Sequence, residues 1–293
     1  MNRDAFSARL AAIRPADAAA MDAARRRQAQ LAKPPGSLGK LEDISIQLAG
    51  ITGHIDNEIE KTRIYVLAAD NGVVAEGVSS APQSVTRQQA VNLTRGVTGA
   101  SAIARRFGDE LVVVDVGIAE DYTCPQIVNR RIARGTKNIA KEPAMTVQQA
   151  LTALDTGMTL AAQAKRDGVQ ALGVGEMGIG NTTTSAAVLM ALTGCAVEDA
   201  VGRGGGVTDE AFARKRAVAA GALARLRPDA GDAVDVLAKV GGFDLAAMAG
   251  VFLGAAESRL PVVIDGFISV VAALCAVRLC PAARDFLFAS HGS

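Results

Sequence analysis

Four continuous runs of aliphatic and β-branched residues punctuate the chain: RIYVLAAD (63–70), ELVVVDVG (110–117), VQALGVG (169–175) and LPVVIDG (260–266). Each reads as a buried strand followed by small and polar residues and then by a helical stretch; between the first two, Gln88 to Arg106 reads as one helix. Strands that are apolar at successive positions, rather than at alternate ones, are covered on both sides, and intervening helices supply the crossovers that parallel neighbours need. The predicted fold is therefore α/β: a parallel β-sheet with helices on both faces. Ligands of such sheets lie beyond the carboxyl ends of the strands, which directs attention to the loops after Ala69, Gly117, Val174 and Ile264. The first thirty residues are rich in Ala and Arg at helical spacing, and Pro15 ends one short helix and starts another. The expected organisation is a smaller helical N-terminal region, residues 1–60, and an α/β domain over residues 61–293, with no internal repeat and no low-complexity linker.

Composition narrows the core. The chain is 49% hydrophobic but only 3% aromatic, without Trp, so the interior must be built from Ala, Val, Leu and Ile, which suits helices packed closely on a sheet. With 31 basic and 30 acidic residues and no basic block, nothing points to nucleic acid or an anionic membrane, and the expected ligand is small. Cys124, Cys195, Cys275 and Cys280 show no CxxC spacing and His54 and His291 are the only histidines, so no metal site is predicted; the cysteines read as reduced core thiols. The N-terminal MNRDAFSARL has no apolar signal segment, which together with the thiols suggests a cytoplasmic protein. LAAMAGVFLGAA (245–256), flanked by Asp244 and Glu257, is too short to span a bilayer.

The chemistry lies in glycine-rich loops. KPPGSLGKLE (33–42) lacks the spacing of a nucleotide P-loop. GVGEMGIGNTTTSAA (173–187) holds one charged residue, Glu176, among glycines and leaves three readings open. The glycines can simply make a tight turn. Gly173, Gly175 and Gly178 also meet the GxGxxG pattern of dinucleotide sites, with Glu198 or Asp199 about twenty residues on; against this, the helix starts late, near Asn181, and Glu176 would lie beside a pyrophosphate. Thirdly, the loop can pair with GRGGG (202–206), which precedes a helix capped by Thr208, to cradle an anion. Asp209 and Glu210 in that helix's first turn would repel a phosphate on its axis. Lys215 lies roughly 9 Å further along at ~1.5 Å per residue, and helix side chains lean toward the N-terminus, so its ammonium can meet such a phosphate, although a lone lysine there is ordinarily solvated.

Taken together, KPPGSLGKLE, AADNGVVAEGVSSAPQSVTRQQAVNLTRG (68–96), GVGEMGIGNTTTSAA, VGRGGGVTDE (201–210), VGGFDLAAMAG (240–250) and PVVIDGFISVVAAL (261–274) resemble, in register from about residue 30 onward, the nicotinate-nucleotide:dimethylbenzimidazole phosphoribosyltransferases. The resemblance implies a dimeric α/β enzyme that transfers the 5-phosphoribosyl group of nicotinate mononucleotide to 5,6-dimethylbenzimidazole or a related azole, giving α-ribazole 5′-phosphate and nicotinate in cobalamin assembly, without a cofactor or metal. Carried over by motif, Gly178, Gly180 and Asn181 with Gly204, Gly205 and Gly206 hold the 5′-phosphate and Lys215 pairs with it. Glu176 lies near the ribose and the reaction centre, and Ser80, Gln88 and Met177 line the acceptor pocket. Asn71 stands where many members have His, which leaves the role of that position open.

The family's general-base glutamate belongs to a segment that would lie beyond Ser293, so the resemblance also implies an active site short of one group. Acid–base assistance is worth about 10²–10⁴-fold, so the alternative reading is a nucleotide-binding member that turns over poorly. A NAD-dependent oxidoreductase, resting on the single GxGxxG match, is the second alternative.

Overall fold

The computed structural model describes residues 1–292. Two helices, α1 (Arg3–Ala12) and α2 (Ala18–Gln30), flank Pro15, and α3 (Lys40–Thr52) leads to the first strand. From there the chain runs β1 (Thr62–Ala69), α4 (Ser84–Thr94), α5 (Gly99–Phe107), β2 (Glu110–Gly117), β3 (Val128–Asn129), α6 (Val147–Arg166), β4 (Ala171–Met177), α7 (Asn181–Thr193), α8 (Val197–Ala200) and α9 (Asp209–Leu226). It closes with α10 (Ala233–Val240), α11 (Phe243–Glu257), β5 (Val262–Ile264), α12 (Phe267–Leu279) and β6 (Leu287–Ala289). All neighbouring strands are parallel, in the order β3-β2-β1-β4-β5-β6. The parallel α/β sheet with helices on both faces is thus the observed fold.

The apolar runs are continuous because both faces of the sheet are covered. Tyr65, Leu67 and Ala69 of β1, with Leu172 and Val174 of β4, turn into the larger core, while Val66 and Ala68 join a smaller one with Ala90, Leu93 and Val113. α4 and α5 cover that second face.

Three expectations need correction. Gln88 to Arg106 is not one helix: Gly96 takes a left-handed φ of 74°, and Thr98 with Ser101 forms a capping box that starts α5 afresh. β4 begins later than VQALGVG suggests and extends through Glu176 and Met177, which pair with Leu67 and Ala68 of β1. Of the cysteines, Cys275 and Cys280 are buried but Cys124 and Cys195 are partly exposed, so only two are core thiols; all four are free.

The layer under the larger core is held by α6 and α11. Every residue of α11 from Phe243 to Ala256 is buried, as expected of a helix apolar on all sides. Its approach to α6 depends on glycine. A Cβ on Gly157 would lie 2.0 Å from the Ala247 carbonyl oxygen, and one on Gly250 would lie 2.1 Å from that of Leu154. The obstructing atoms are backbone, so no side-chain rotation could relieve the clash. Gly157→Ala should therefore destabilise the protein by about 2 kcal/mol, because overpacking costs ~1–3 kcal/mol or more and outweighs the gain in helix propensity of ~1 kcal/mol. Gly221→Ala in α9, where an added Cβ meets nothing within 4 Å, should stabilise by ~0.5–1 kcal/mol. Urea unfolding of both variants checks the opposite signs.

Candidate active site between two glycine loops

The strand order reverses direction between β1 and β4, the place where parallel sheets open a crevice at their carboxyl ends. Both strands deliver functional groups there. β1 runs into Asp70 and Asn71, which are buried, and is tied down by hydrogen bonds from Asp70 N to Gly117 O and from Thr136 N to Asp70 O. β4 ends in Glu176 and Met177, then turns through Gly178, Ile179 and Gly180 into α7. Gly180, the N-cap, has a φ of 91° and supplies no side-chain acceptor to the first turn. Asn181 N and Thr183 N are taken by Gly178 O and Gly180 O, but no side chain caps the helix, so its positive end can still favour an outside anion.

The second loop faces it. Gly204 and Gly206 take left-handed φ values of 58° and 84°. A Cβ on Gly204 would come within 3.2 Å of both Lys215 Nζ and Thr182 Oγ1, so this glycine keeps the space above them clear. Ser80 Oγ donates to Gly205 O at 3.3 Å and joins the loop after β1 to the same rim. α9 starts as expected, with Thr208 accepting from Ala211 N.

Lys215 is not a solvated surface lysine. Only 1% of it is exposed, and Nζ donates to Thr182 Oγ1 at 2.8 Å and to Gly202 O at 3.0 Å. Neither partner is charged, and burial pushes its pKa down to about 8. An ammonium has three donors, so one remains for an anion in the cavity.

Opposite the cation stand two carboxyl groups. Asn181 Nδ2 donates to Glu176 Oε2 at 2.5 Å and to Asp244 Oδ2 at 2.9 Å. Burial first, then the neighbouring charges of Asp244 and Asp265, push Glu176 up to about 7, against the Asn181 hydrogen bond. Burial also raises Asp244 to about 6, although its Oδ1 accepts from Leu245 N at 3.0 Å at the head of α11. Asp70, raised by burial, takes the Ala119 amide at 2.8 Å. Thr184 Oγ1 donates to Asn71 Oδ1 at 3.2 Å.

Glu176, Met177, Gly178, Gly180, Asn181, Gly205, Lys215 and Ser80 therefore line one cavity of about 230 Å³. Gly204 lies beside Lys215 and Thr182, and Gly206 closes the second loop without lining the cavity. Gln88 is exposed on α4, outside the lining. A larger cleft of about 720 Å³ surrounds His54 and Arg259 at the amino ends of the strands, where no comparable set of groups converges. Three residues were not anticipated: Thr182, which holds Lys215; Arg203, which also lines the cavity; and Asp244. A lone acid opening an otherwise apolar helix was the available signal for Asp244.

A family model described as phosphoribosyltransferase matches residues 13–293. The chain is 50% identical over 273 residues to the nicotinate-nucleotide–dimethylbenzimidazole phosphoribosyltransferase of Acetivibrio thermocellus, covering 93% of this chain and 78% of that one. It is 52% identical over 270 residues to the enzyme of that name from Clostridium perfringens strain 13, covering 92% and 75%. The crystal structure of CobT from Thermus thermophilus superposes with a TM-score of 0.89 at 43% identity, over 93% of this chain and 82% of that chain.

The site's electrostatics predict how it takes an anion. Ribose 5-phosphate should bind with an affinity that falls as pH rises through about 8, because Lys215 loses its charge there while the phosphate is already dianionic. Lys215→Met should weaken binding at pH 7 at least tenfold and remove that pH dependence. Calorimetric titration across pH 7–9 measures both.

Proposed function

Because the chain belongs to the nicotinate-nucleotide–dimethylbenzimidazole phosphoribosyltransferase family, we propose that the cavity between its glycine loops is where the phosphoribosyl group changes partners. The protein transfers that group from nicotinate mononucleotide to 5,6-dimethylbenzimidazole, releasing nicotinate. The observation that carries the placement is the arrangement of a buried ammonium, Lys215, and a half-buried carboxyl, Glu176, on the lining of one small cavity. The substrate has matching charges: a 5′-phosphate at one end and a pyridinium nitrogen at the other.

In this reading the phosphate sits on Lys215, the head of α7 and the Gly204–Gly206 loop. The glycosidic nitrogen of the bound nucleotide is cationic. As its bond to C1′ breaks, the bonding pair returns to nitrogen, nicotinate leaves with a neutral ring nitrogen, and positive charge moves onto C1′. The Glu176 carboxylate stabilises that developing charge. A ring nitrogen of the azole forms the new bond to C1′ with its lone pair, and the proton of its other nitrogen passes to solvent water. Ser80 and Met177, on the same lining, are the groups through which the acceptor is placed; Gln88 would reach it only from outside that lining. The reading extends to a cytoplasmic homodimer, supported by the free cysteines and by the exposed apolar side chains of Val97, Ile103 and Phe107 along one edge.

Glu176 must be ionised for this role, so kcat/KM should fall as pH drops through about 7, where the carboxylate of the free enzyme takes up a proton. Glu176→Gln should lower azole-dependent nicotinate release by at least about 100-fold, a typical loss for one electrostatic stabiliser, while nicotinate mononucleotide affinity changes only severalfold. Chromatographic quantification of nicotinate, beside calorimetric binding, separates the two effects. Undiminished turnover by Glu176→Gln would remove Glu176 from the reaction centre.

A further inference from the structure

Two carboxyl groups share one donor, Asn181, which lines the cavity with Glu176, while Asp244 is fully buried and off the lining. Asn181 Nδ2 carries two hydrogens, and the structure directs one to Glu176 and the other to Asp244. Acceptors bound to one nitrogen lie within roughly 5 Å of each other. Among the described residues neither acid has a salt-bridge partner; Lys215, across the cavity, is engaged by Thr182 and Gly202.

The backbone is shaped around the second acid. A Cβ on Gly178 would lie 2.4 Å from Asp244 Oδ2, and one on Gly242 would lie 2.4 Å from Asp244 Oδ1. Glycines of two separate loops thus make room for a single carboxyl, and Gly178 serves Asp244 whatever it also does for a ligand. The group is fully buried, at the head of a helix whose other turns are apolar. Other groups near the pair are Asp265 after β5, Lys215 from α9 and Arg203 from the second loop, while Asp70 after β1 is turned toward the Ala119 amide. Two like charges this close, one of them fully buried, do not both ionise readily.

We propose that Asp244 is a positioning residue for the transfer: through the Asn181 carboxamide it fixes Glu176 and forms with it a pair that shares one proton, which the positively charged pyridinium nitrogen of the nucleotide expels on binding. The proton goes to solvent, and no bond to the substrate is made by Asp244. The proposal rests on the placement of Glu176 beside the pyridinium and ribose. Binding a cation next to the pair favours its doubly ionised form, so the site is recharged by its own substrate. Burial pushes Asp244 up to about 6, and burial together with the Asp244 charge pushes Glu176 up to about 7.

Two measurements test this. The first uses the unmodified protein at pH 6.5, with binding heats taken in two buffers of different ionisation enthalpy. Nicotinate mononucleotide should release up to one proton more than ribose 5-phosphate, which has the phosphate but no cationic ring, and this excess should vanish at pH 8.5. Equal release from both ligands at pH 6.5 overturns the proposal, even if no Asp244 variant folds.

The second measurement is the pH profile of kcat/KM for Asp244→Asn. Removing the neighbouring charge should move the acidic limb down by about one pH unit. A variant slower at every pH, with its limb in place, would show that Asp244 only supports the fold. Glu176→Gln keeps the two ideas apart. If it is inactive while Asp244→Asn leaves the limb unmoved, the Asp244 proposal alone falls; if it is fully active, the placement of Glu176 falls.

Discussion

The structure depends on how closely α11 can lie against α6. Glycines at 157 and 250 remove the side chains that would otherwise separate the two backbones, and the whole of α11 sinks into the core as a result. A helix placed so deeply carries its first turn to the ends of β1 and β4, and with it the Asp244 carboxyl. Packing and chemistry are therefore one constraint. A shift of α11 by even an ångström would move an acid that reaches Glu176 only through the side chain of Asn181.

Lys215, Glu176 and Asp244 are held without partners of opposite charge. Lys215 is buried against a hydroxyl and a carbonyl, while Glu176 and Asp244 share one amide, and cation and acids are not paired with each other. Burying charge this way costs stability, because desolvation is only partly offset by neutral hydrogen-bond partners. A direct Lys–Glu bridge across the cavity would be more stable, but it would neutralise both ends and leave little field for a ligand. Keeping the ends apart would make the cavity complementary, in the proposed reading, to a molecule that is anionic at its phosphate and cationic at its ring nitrogen.

Much of this was legible in the chain because it follows from short-range rules. Continuous β-branched runs mark strands buried on both sides, and a lysine two turns into a capped helix must lean back toward its N-terminus, which is where Lys215 is found. Other features were hidden for identifiable reasons. The apolar pattern continues across Arg95–Thr98, so periodicity alone merges α4 and α5; the Gly96 turn and the Thr98–Ser101 capping box, both local signals, carry the break. Asp244 appeared only as the edge of an apolar run, since its partner Asn181 lies 63 residues away and no local rule joins them. Gln88 illustrates the converse: a motif assigns it to the acceptor pocket, but α4 presents it to solvent.

The strand order is also the one used by dinucleotide-binding folds, with the crevice at the same reversal between β1 and β4. What differs is where the glycine loop sits. In those folds it follows the first strand, and the pyrophosphate rests on the helix that comes next. Here β1 runs instead into Asp70 and Asn71 and a short 3₁₀ turn, Gly72–Glu76, so an acid and an amide occupy that ground. The glycine loop follows β4, and a buried lysine from α9 stands beside it, so in the proposed reading the phosphate meets an ammonium as well as amides. Glu176, in the middle of the GxGxxG match, would repel a bridging pyrophosphate but suits a cationic ring. In the proposed reading the same topology serves one phosphate and one positive charge, in a cavity of about 230 Å³.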